Sequence, residues 1–353
     1  METADFDYPL PDSAIAQHPL AQRDAARLLV DRGPGCAPEH RIVRDLADLL
    51  DPGDLIVVNT TRVLPARLHL RRPTGGAAEV LLLERTGGSA DGSRWEALVR
   101  PSRRMPPGTP LTPLDGASGL LVIVGEDLGE GRRTIELRVG GGGVADELAA
   151  LERHGEMPLP PYITARLEEP SRYQTVFAEK PGSAAAPTAG LHLTEEVLGS
   201  CAARGIGRAD VELMVGLGTF RPISVEKVSD HVMHSERYDV PASTMEACER
   251  TRAEGGRVVA IGTTAVRALE SAAVTGELSG RTDLFISGDH RFRVVDRLLT
   301  NFHLPRSSLL VMIDAFMGPR WRDLYADALD SGFRFLSFGD AMLLTRRDLW
   351  ATP

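Results

Sequence analysis

Hydrophobic positions along the chain follow two periods, which predict helices and strands in alternation at both ends of the sequence. Apolar residues recur with helical spacing from Arg44 to Leu50, and the segment from Asp54 to Val58 then carries a continuous apolar run. Such a run is typical of a strand buried on both faces of a parallel sheet. We therefore predict an α/β sheet with flanking helices. Further strands are predicted at Asp210–Val215 and Arg257–Ile261, and further helices over residues 194–204, from Thr263 onward and over Leu309–Ala315.

The middle of the chain has a different pattern, with short alternating segments between glycine- and proline-rich turns. Several short strands at roughly even spacing are typical of a small barrel or sandwich. Because α/β sequence lies on both sides, we expect a discontinuous main domain, residues 1–65 and 154–353, split by an inserted domain, residues 66–153. The strands predicted for the insertion are Arg67–Arg71, Ala78–Glu84, Trp95–Val99, Gly119–Val124 and Thr134–Arg138.

A run of small residues from Gly182 to Gly190 precedes the helix predicted at 194–204. Glycine and alanine leave little side-chain bulk, so the backbone there is able to approach a ligand or another strand closely. Thr194 suits the N-cap of the helix, which places His192 just ahead of a helix N-terminus. The pattern fits a ligand-binding loop, and it fits equally a tight strand-to-helix connection with a solvent-exposed histidine.

A second strand-to-helix junction carries Gly262, Thr263 and Thr264. Backbone N–H groups and two hydroxyls at a helix N-terminus form a favourable cradle for an anion or a carboxylate. Arg267 lies one turn into the same helix, on the side of the two threonines by its spacing. The junction is therefore a candidate site for a negatively charged group.

Three weaker candidates follow other strands. Open α/β sheets bind ligands at the carboxyl ends of strands, where this chain has Asn59, Thr60 and Arg62, although a stabilised turn with a surface arginine fits as well. The loop that contains Gly218 and Thr219 lacks the third glycine of a dinucleotide-binding loop. The third is a pair of histidines, His231 and His234, with the spacing of metal ligands but no third ligand evident nearby.

Composition narrows the class of protein. The chain has 353 residues, a formal charge of −9 and three scattered cysteines. It has no signal peptide and no apolar run long enough to span a bilayer, so we expect a cytoplasmic protein without a disulfide framework. The acidic balance means that nucleic-acid binding requires local positive charge. Basic residues gather in the insertion among equally numerous acidic ones, at Arg71, Arg72, Arg100, Arg103, Arg104, Arg132 and Arg133.

Several dispersed motifs, in one order over nearly the whole chain, resemble the S-adenosylmethionine:tRNA ribosyltransferase-isomerase (QueA) family of queuosine biosynthesis. The most specific is the eight-residue stretch from Ala185 to His192. The others include Pro-Leu-Pro-Pro-Tyr-Ile at 158–163, Tyr-Gln-Thr-Val at 173–176, Asp-His-Val-Met-His-Ser-Glu at 230–236, Thr-Asn-Phe-His-Leu-Pro at 300–305 and Phe-Leu-Ser-Phe-Gly-Asp-Ala-Met at 335–342.

The resemblance implies a mixed-sheet main domain split by a small β-barrel, and an enzyme with S-adenosylmethionine as co-substrate, tRNA as partner and no prosthetic group or metal. The enzyme transfers and isomerises the ribosyl unit onto 7-aminomethyl-7-deazaguanine in tRNA to give epoxyqueuosine, with adenine and methionine leaving. We expect it to act as a monomer. That chemistry needs a base, an acid and donors for the methionine carboxylate.

Residues of suitable type occupy the motifs. The candidates for catalysis are His192, His303, Asp340 and Glu212. Of these, the histidines suit acid–base roles because imidazole titrates near neutral pH, and the carboxylates suit attraction of the sulfonium or ammonium group. The candidates for substrate binding are Asn59, Thr60, Arg62, Thr188, Gly190, Gly218, Thr219, His231, His234, Thr263, Thr264, Arg267 and Asn301.

The chain also departs from the family pattern. Met214 stands where a histidine is usual, Leu193 where a phenylalanine is usual, and Ser287-Gly288-Asp289 replaces Tyr-Pro-Gly within a hairpin that we predict at 282–296. These changes leave a second hypothesis open, in which the same sulfonium chemistry acts on a small-molecule acceptor. A non-catalytic RNA-binding module fits less well, and an ordinary methyltransferase is disfavoured because the glycine-rich nucleotide loop is missing.

Overall fold

The structure is a computed structural model, which describes residues 1–89, 92–116, 119–140, 143–216 and 222–350. The chain forms two compact units. The first contains Met1–Thr61, Pro161–Lys180 and Ala186–Pro353, and the second contains Arg62–Pro160 and Pro181–Ala185. Among the described helices, none has both the length and the apolar character needed to cross a membrane.

Strands are distributed over both units. In chain order within the described ranges they are β1 (Arg27–Val30), β2 (Glu39–Ile42), β3 (Leu55–Asn59), β4 (Thr61–Val63), β5 (Arg67–Arg71), β6 (Ala77–Ser89), β7 (Gly92–Arg100), β8 (Pro110–Pro113), β9 (Leu120–Gly129), β10 (Arg132–Val139), β11 (Gly155–Glu156), β12 (Lys180–Ser183), β13 (Gly207–Leu213), β14 (Glu236–Asp239), β15 (Val258–Ile261), β16 (Ser279–Thr282), β17 (Arg297–Asn301) and β18 (Ala341–Thr345).

Helices belong mostly to the first unit. They are α1 (Leu46–Leu49), α2 (Val144–His154), α3 (Glu195–Ala203), α4 (Ala242–Ala253), α5 (Thr263–Thr275), α6 (Ser308–Met317) and α7 (Trp321–Asp330). Short 3-10 turns precede or follow several of them. These turns are Thr3–Phe6, Asp12–Ala14, Arg23–Ala25, Val43–Asp45, Ser102–Arg104, Pro170–Tyr173, Thr188–His192, Val228–Asp230, Gly318–Arg320 and Arg347–Leu349.

A nine-stranded mixed sheet forms the centre of the first unit, in the order β16-β14-β13-β3-β15-β17-β18-β1-β2. Strand β3 pairs in parallel with β13 and β15, and β15 pairs in parallel with β17, whereas β17 and β18 are antiparallel. Every residue of β3, β15, β17 and β18 is buried. Runs of apolar side chains supply most of this burial on both faces of the sheet, so the α/β prediction is confirmed.

The helices cover the sheet as their apolar stripes require. The predicted helix over 194–204 is α3, and the hydroxyl of Thr194 accepts a hydrogen bond from the backbone N–H of Val197 at 3.3 Å, as an N-cap does. On α5, ten consecutive residues from Thr263 to Ala272 are buried. Helix α5 is therefore an interior helix, and its polar side chains must find partners inside the protein.

The second unit is a closed antiparallel barrel. Strands β5, β6, β7, β10, β9 and β8 pair in that order, and β8 returns to pair with β5. Buried residues alternate with half-buried or exposed ones along β5, β8 and β10, so the side chains of one face fill the interior. The predicted barrel is thus confirmed and the sandwich excluded. Helix α2 and strand β8 were not predicted.

The second unit extends further than the predicted insertion. Strand β11 lies beyond residue 153, yet it pairs with β5, so the chain leaves the barrel only after that strand. Residues 181–185 also group with the barrel, where the N–H of Leu64 donates to the carbonyl of Ser183 at 3.2 Å. Short ladders of this kind are set by long-range pairing and leave no periodic pattern in the sequence.

The hairpin predicted at 282–296 is wrong. The first strand there, β16, ends at Thr282 and pairs with β14, and no strand follows before β17. Instead, backbone N–H groups from Arg293 to Val295 donate to the buried carboxylate of Glu270 on α5, at 2.8 to 3.0 Å. A buried carboxylate needs such donors, and it satisfies the backbone of this segment in place of a strand partner.

Candidate active site

A cleft of about 620 Å³ lies in the first unit at one edge of the sheet. Its walls come from residues that follow β13, β15 and β17 and from the 3-10 turn Thr188–His192. Strands β13, β3, β15 and β17 run parallel, so their carboxyl ends meet at the same edge. This is the edge at which open α/β sheets bind ligands. Its polar lining includes Tyr162, Thr188, Thr263, Thr264, Asn301 and His303, and its apolar lining includes Val215, Phe302, Leu304, Leu309 and Leu336.

The N-terminus of α5 opens onto this cleft. Gly262 precedes the helix with φ of 87°, a backbone conformation that favours glycine, and no side chain caps the helix. Thr263 and Thr264 are buried and line the cleft. Among the described residues, the Thr264 hydroxyl is buried without a hydrogen-bond partner. A free helix N-terminus beside an unpaired hydroxyl favours a bound anion.

A buried amide, Asn301, joins three segments at the end of β17. Its Nδ2 lies 2.9 Å from His192 Nε2 and donates to the carbonyl of Asp340 at 3.3 Å, and its Oδ1 accepts from the Thr188 hydroxyl at 2.9 Å. A carbonyl oxygen only accepts, so the amide orientation is fixed by Asp340. His192 Nε2 is therefore an acceptor, and its proton resides on Nδ1.

Both histidines near the cleft are neutral at physiological pH. Burial, together with the charges of Arg334 and Arg23, lowers the pKa of His192 to about 4. Burial lowers the pKa of His303 to about 3. The Nε2 atom of His303 lies 3.1 Å from the Thr300 hydroxyl, which orients the ring. The solvent-exposed alternative for His192 is excluded, because only 5% of its surface is accessible.

Comparison with known proteins identifies the family of this chain. The sequence profile described as "Queuosine biosynthesis protein" matches residues 3–344. The chain belongs to this queuosine biosynthesis family. The match confirms the family that the motifs indicated.

Two relatives of this family carry the name S-adenosylmethionine:tRNA ribosyltransferase-isomerase. The protein from Anaeromyxobacter sp. (strain Fw109-5) is 49% identical over 354 residues, which cover 99% of this chain and 100% of the relative. The protein from Azoarcus sp. (strain BH72) is 51% identical over 352 residues, which cover 98% of this chain and 97% of the relative. The crystal structure of S-adenosylmethionine tRNA ribosyltransferase from Thermotoga maritima matches 96% of this chain and 99% of its own, with 34% identity and a TM-score of 0.54.

The structure brings together part of the set of residues that the family motifs suggested. Thr188, Thr263, Thr264, Asn301 and His303 line the cleft, and His192 reaches it through Asn301. Gly190 lies within the same 3-10 turn, where an added Cβ would come within 2.7 Å of the Phe177 ring. Gly190 therefore permits close packing beneath the cleft.

Other candidates are engaged in holding the fold. The carboxylate of Asp340 accepts from the backbone N–H groups of Arg27 at 3.0 Å and Arg334 at 2.8 Å. The amide of Asn59 exchanges hydrogen bonds with the backbone of Leu213, at 3.0 and 3.2 Å, and so joins β3 to β13. Thr60 likewise contacts the backbone of Val211. None of these three residues lines the cleft.

Arg267 is buried in an ion pair with Glu236 rather than in the cleft. Its Nε and Nη2 atoms face the carbonyls of Leu284 and Thr282, at 3.4 and 3.5 Å. Although its helical spacing puts Arg267 on the side of Thr263 and Thr264, its side chain extends to Glu236 and to the backbone at Thr282 and Leu284. The guanidinium is thus committed to partners within the fold.

The remaining candidates lie apart from the cleft lining or outside the described residues. Glu212 is half-buried on β13, and burial raises its pKa. His231 packs edge-on against Phe285, and burial, together with His234, lowers its pKa. No cluster of three or more possible metal ligands occurs in the described part of the chain. Arg62 belongs to the second unit and pairs with Glu152 at 3.2 Å, and Gly218 and Thr219 lie outside the described residues.

Two polar residues of the cleft were missed by the sequence analysis. The hydroxyls of Tyr162 and Ser337 are 2.7 Å apart, and both residues line the cleft. Burial raises the pKa of Tyr162, so its hydroxyl stays protonated. Both residues belong to family motifs, and that membership was the available signal. A tyrosine after two prolines otherwise resembles a rigid linker.

Proposed function

We propose that this protein is an S-adenosylmethionine:tRNA ribosyltransferase-isomerase. It transfers and isomerises the ribosyl unit of S-adenosylmethionine onto 7-aminomethyl-7-deazaguanine in tRNA, forms epoxyqueuosine and releases adenine and methionine. The observation that carries the proposal is the cleft itself, in which a free helix N-terminus and a neutral imidazole face one space. The names of full-length relatives agree with it.

In this proposal the N-terminus of α5 holds the methionine carboxylate. The hydroxyl of Thr264 is buried without a partner among the described residues, so a carboxylate oxygen there would satisfy it. The helix dipole adds a favourable interaction with negative charge. Thr263 and Thr264 therefore keep the role that the sequence suggested, whereas Arg267 supports the fold behind them.

His303 is the proposed base. The sulfonium of S-adenosylmethionine acidifies the adjacent ribose carbon, and a base must remove a proton from it. His303 lines the cleft and is oriented by Thr300, and its ring is in the unprotonated form that a base requires. His192 instead fixes Asn301, since its Nε2 lone pair already accepts from that amide.

The small-molecule alternative lacks support from the positions that suggested it. Neither Met214 nor the segment from Ser287 to Asp289 lines the cleft. Asp289 is fully exposed and pairs with Arg347 at 3.4 Å. These departures from the family pattern therefore lie outside the lining of the cleft, and we keep tRNA as the proposed acceptor.

The arginines of the barrel support part of the tRNA proposal. Arg103 and Arg104 are exposed at the 3-10 turn Ser102–Arg104 and form no ion pair within the described part of the chain, so they are available to phosphates. Arg133 is buried, and its guanidinium donates to backbone carbonyls that include those of Ser102 and Met105. We therefore propose Arg103 and Arg104 as phosphate contacts and Arg133 as a support of the turn that carries them.

One experiment tests the reaction. The purified protein is incubated with S-adenosylmethionine and tRNA that carries the deazaguanine base, and the digested nucleosides and released small molecules are analysed by mass spectrometry. We expect epoxyqueuosine together with adenine and methionine. A methylated nucleoside with S-adenosylhomocysteine, and no adenine, would contradict the proposal.

A further inference from the structure

A second cavity in the first unit, with about 280 Å³ of empty space, has three arginines among the ten residues that line it. Its lining includes Arg23, Arg172 and Arg334, and His192 forms another part of the wall. The three arginines come from distant parts of the sequence, so only the fold brings their charges together. All three are partly exposed, and the Arg334 side chain is 32% accessible. The cavity is thus open to solvent and not sealed within the core.

Few negatively charged groups neutralise the three arginines of this cavity. Within the described ranges, the one carboxylate in an ion pair with any of the three arginines is Asp340, 3.9 Å from Arg334 Nη2. That carboxylate already accepts two backbone hydrogen bonds. Burial and the charge of Arg172 lower the pKa of Arg23, which is the direction expected for like charges held close together.

Backbone carbonyls hold the guanidinium groups in place instead of carboxylates. Arg23 donates to the carbonyls of Gln174 and Ser171, Arg172 to those of Leu20 and Ala21, and Arg334 to those of His18 and Phe338. These bonds fix the groups without neutralising them. The Nε atom of Arg172 is also buried with no hydrogen-bond partner among the described residues. A positioned arginine cluster with a spare donor and only one carboxylate in an ion pair with it is suited to a phosphate.

We propose that this second cavity binds a backbone phosphate of the RNA acceptor through Arg23, Arg172 and Arg334. The inference rests on the proposed function, since it takes tRNA to be the acceptor. A phosphodiester carries one negative charge and several acceptor oxygens, and it would therefore supply the charge and the hydrogen-bond acceptors that the three arginines lack. The partial exposure of the arginines lets a chain phosphate enter, whereas a sealed cavity would admit only a free ion.

The position of His192 links this cavity to the first cleft. Its ring lines the second cavity, and its Nε2 contacts Asn301, which lines the cleft. A phosphate beside Arg334 and Arg23 offsets two charges that, after burial, lower the pKa of His192. RNA binding therefore makes His192 a better acceptor for the Asn301 amide and tightens one wall of the donor site.

The test compares tRNA binding by three variants over a range of salt concentrations. Arg172→Gln removes one charge from the cavity, Arg172→Lys keeps the charge, and Arg204→Gln removes an exposed charge that pairs with Asp48 outside the cavity. We expect Arg172→Gln to weaken tRNA binding by about ten-fold at low salt and to reduce the salt slope by about 0.7–0.9, whereas Arg172→Lys keeps the salt slope and Arg204→Gln changes neither quantity. Affinity for S-adenosylmethionine stays unchanged in all three.

Equal tRNA affinity and salt slope in Arg172→Gln and the unaltered protein would overturn the inference. A second result would also overturn the inference. If inorganic phosphate raises the melting temperature of the unaltered protein but not that of Arg172→Gln, while both proteins bind tRNA equally, the cavity holds a free ion and not an RNA phosphate. Failure of the unaltered protein to bind any tRNA would instead contradict the proposed function. The two failures are therefore distinguishable.

A measurement on the unaltered protein covers the case in which Arg172→Gln does not fold. Phenylglyoxal modifies accessible arginines, and mass spectrometry reports the extent at each position. We expect tRNA to protect Arg172 and Arg334 and to leave Arg204 unprotected. Equal modification of Arg172 with and without tRNA would refute the inference.

Discussion

The Nδ2 atom of Asn301 lies 2.9 Å from Nε2 of His192, and both side chains are buried. The asparagine lines the cleft, whereas the histidine lines the arginine-rich second cavity. Because the Asp340 carbonyl fixes the amide orientation, the imidazole must accept this bond in its neutral form. One hydrogen bond thus sets both the tautomer of His192 and the position of a cleft residue.

Replacing Asn301 with aspartate tests this relationship. In Asn301→Asp a carboxylate oxygen faces His192 Nε2, which favours the protonated ring, so we expect the pKa of His192 to rise from about 4 by at least ~1 unit. NMR titration of the imidazole resonances measures the shift. Thr188→Val is the matched control, because it removes a partner of Asn301 Oδ1 but leaves Nδ2 in place. An unchanged His192 pKa in Asn301→Asp would refute the assigned contact.

The two neutral histidines predict a pH dependence of stability. Their pKa values in the folded protein, about 4 for His192 and about 3 for His303, lie below the ordinary 6.5. The unfolded chain therefore binds more protons below pH 6.5, and the free energy of unfolding falls as the pH is lowered from there toward 4. Each histidine contributes up to about 1.4 kcal/mol per pH unit in that window.

Urea unfolding at several pH values measures this dependence, with His303→Asn and His192→Asn as comparisons. Each variant removes one titrating ring, so its unfolding free energy should vary less steeply with pH between 6.5 and 4 than that of the unaltered protein. Slopes identical to the unaltered protein in both variants would assign the acid sensitivity to the carboxylates instead.

The unpaired hydroxyl of Thr264 predicts a separation between stability and binding. Thr264→Val keeps the shape of the side chain and removes a buried group without a partner, so we expect the free energy of unfolding to stay equal or increase. Binding of S-adenosylmethionine, the proposed ribosyl donor, should weaken by about ten-fold, the scale of a lost hydrogen bond to a charged group. Calorimetry with S-adenosylmethionine and urea unfolding measure the two effects.

Thr275→Val provides the control at the other end of α5. Its hydroxyl donates to the carbonyl of Ser271 at 2.8 Å, so its removal should cost stability without changing donor affinity. Loss of stability together with full donor affinity in Thr264→Val would contradict the carboxylate site.

Some features of this fold are readable from the sequence because local pattern and tertiary role agree. The apolar runs of β3 and β15 are buried on both faces, and the N-cap Thr194 satisfies the first turn of α3 locally. Helix α2 was missed because it follows a glycine run within a segment whose other elements are strands. Its formation is decided by packing on the barrel, which local pattern does not report.

The site residues were harder to predict, because a polar side chain at a strand end serves a ligand and a fold equally well. Asn59 ends one buried strand and Thr264 comes shortly after another, yet Asn59 joins two strands while the Thr264 hydroxyl has no partner among the described residues. Arg267 illustrates the same limit. Its helical spacing placed it with the threonines, but its partner Glu236 lies 31 positions away in sequence.

The buried ion pair of Arg267 and Glu236 predicts that its removal lowers the free energy of unfolding and leaves the affinity for S-adenosylmethionine unchanged. Arg267→Met removes the guanidinium that pairs with the buried Glu236 carboxylate, so we expect a loss of about 3–5 kcal/mol in unfolding free energy. Adding Glu236→Gln should recover part of it, because the amide oxygen still accepts from the N–H of Gly216. Urea unfolding measures both variants.

An exposed ion pair gives the comparison for this prediction. Arg204→Met breaks a surface pair with Asp48 and should cost less than about 1 kcal/mol. Donor affinity of folded Arg267→Met should equal that of the unaltered protein. A large loss of affinity for S-adenosylmethionine at unchanged stability would instead indicate that Arg267 binds the methionine carboxylate.

The last prediction concerns the barrel and separates two kinds of arginine. Arg103 and Arg104 are exposed, so exchanging both for glutamate should leave the barrel folded while weakening tRNA binding and reducing its salt slope by about 1–2. Arg133→Met should instead lower the stability of the barrel, because the carbonyls of Ser102 and Met105 lose their donor. Fluorescence anisotropy with labelled tRNA and thermal unfolding measure these effects.

A double exchange on another part of the barrel controls for overall charge. Arg94 and Arg138 are exposed on β7 and β10, so Arg94→Glu with Arg138→Glu changes the net charge equally. If only the Arg103 and Arg104 exchange weakens tRNA binding, the phosphates contact the Ser102–Arg104 turn. If both double variants weaken it equally, the effect is long-range and the turn has no special role. If neither does, the barrel arginines are solvated surface, and the RNA contacts must lie on the first unit.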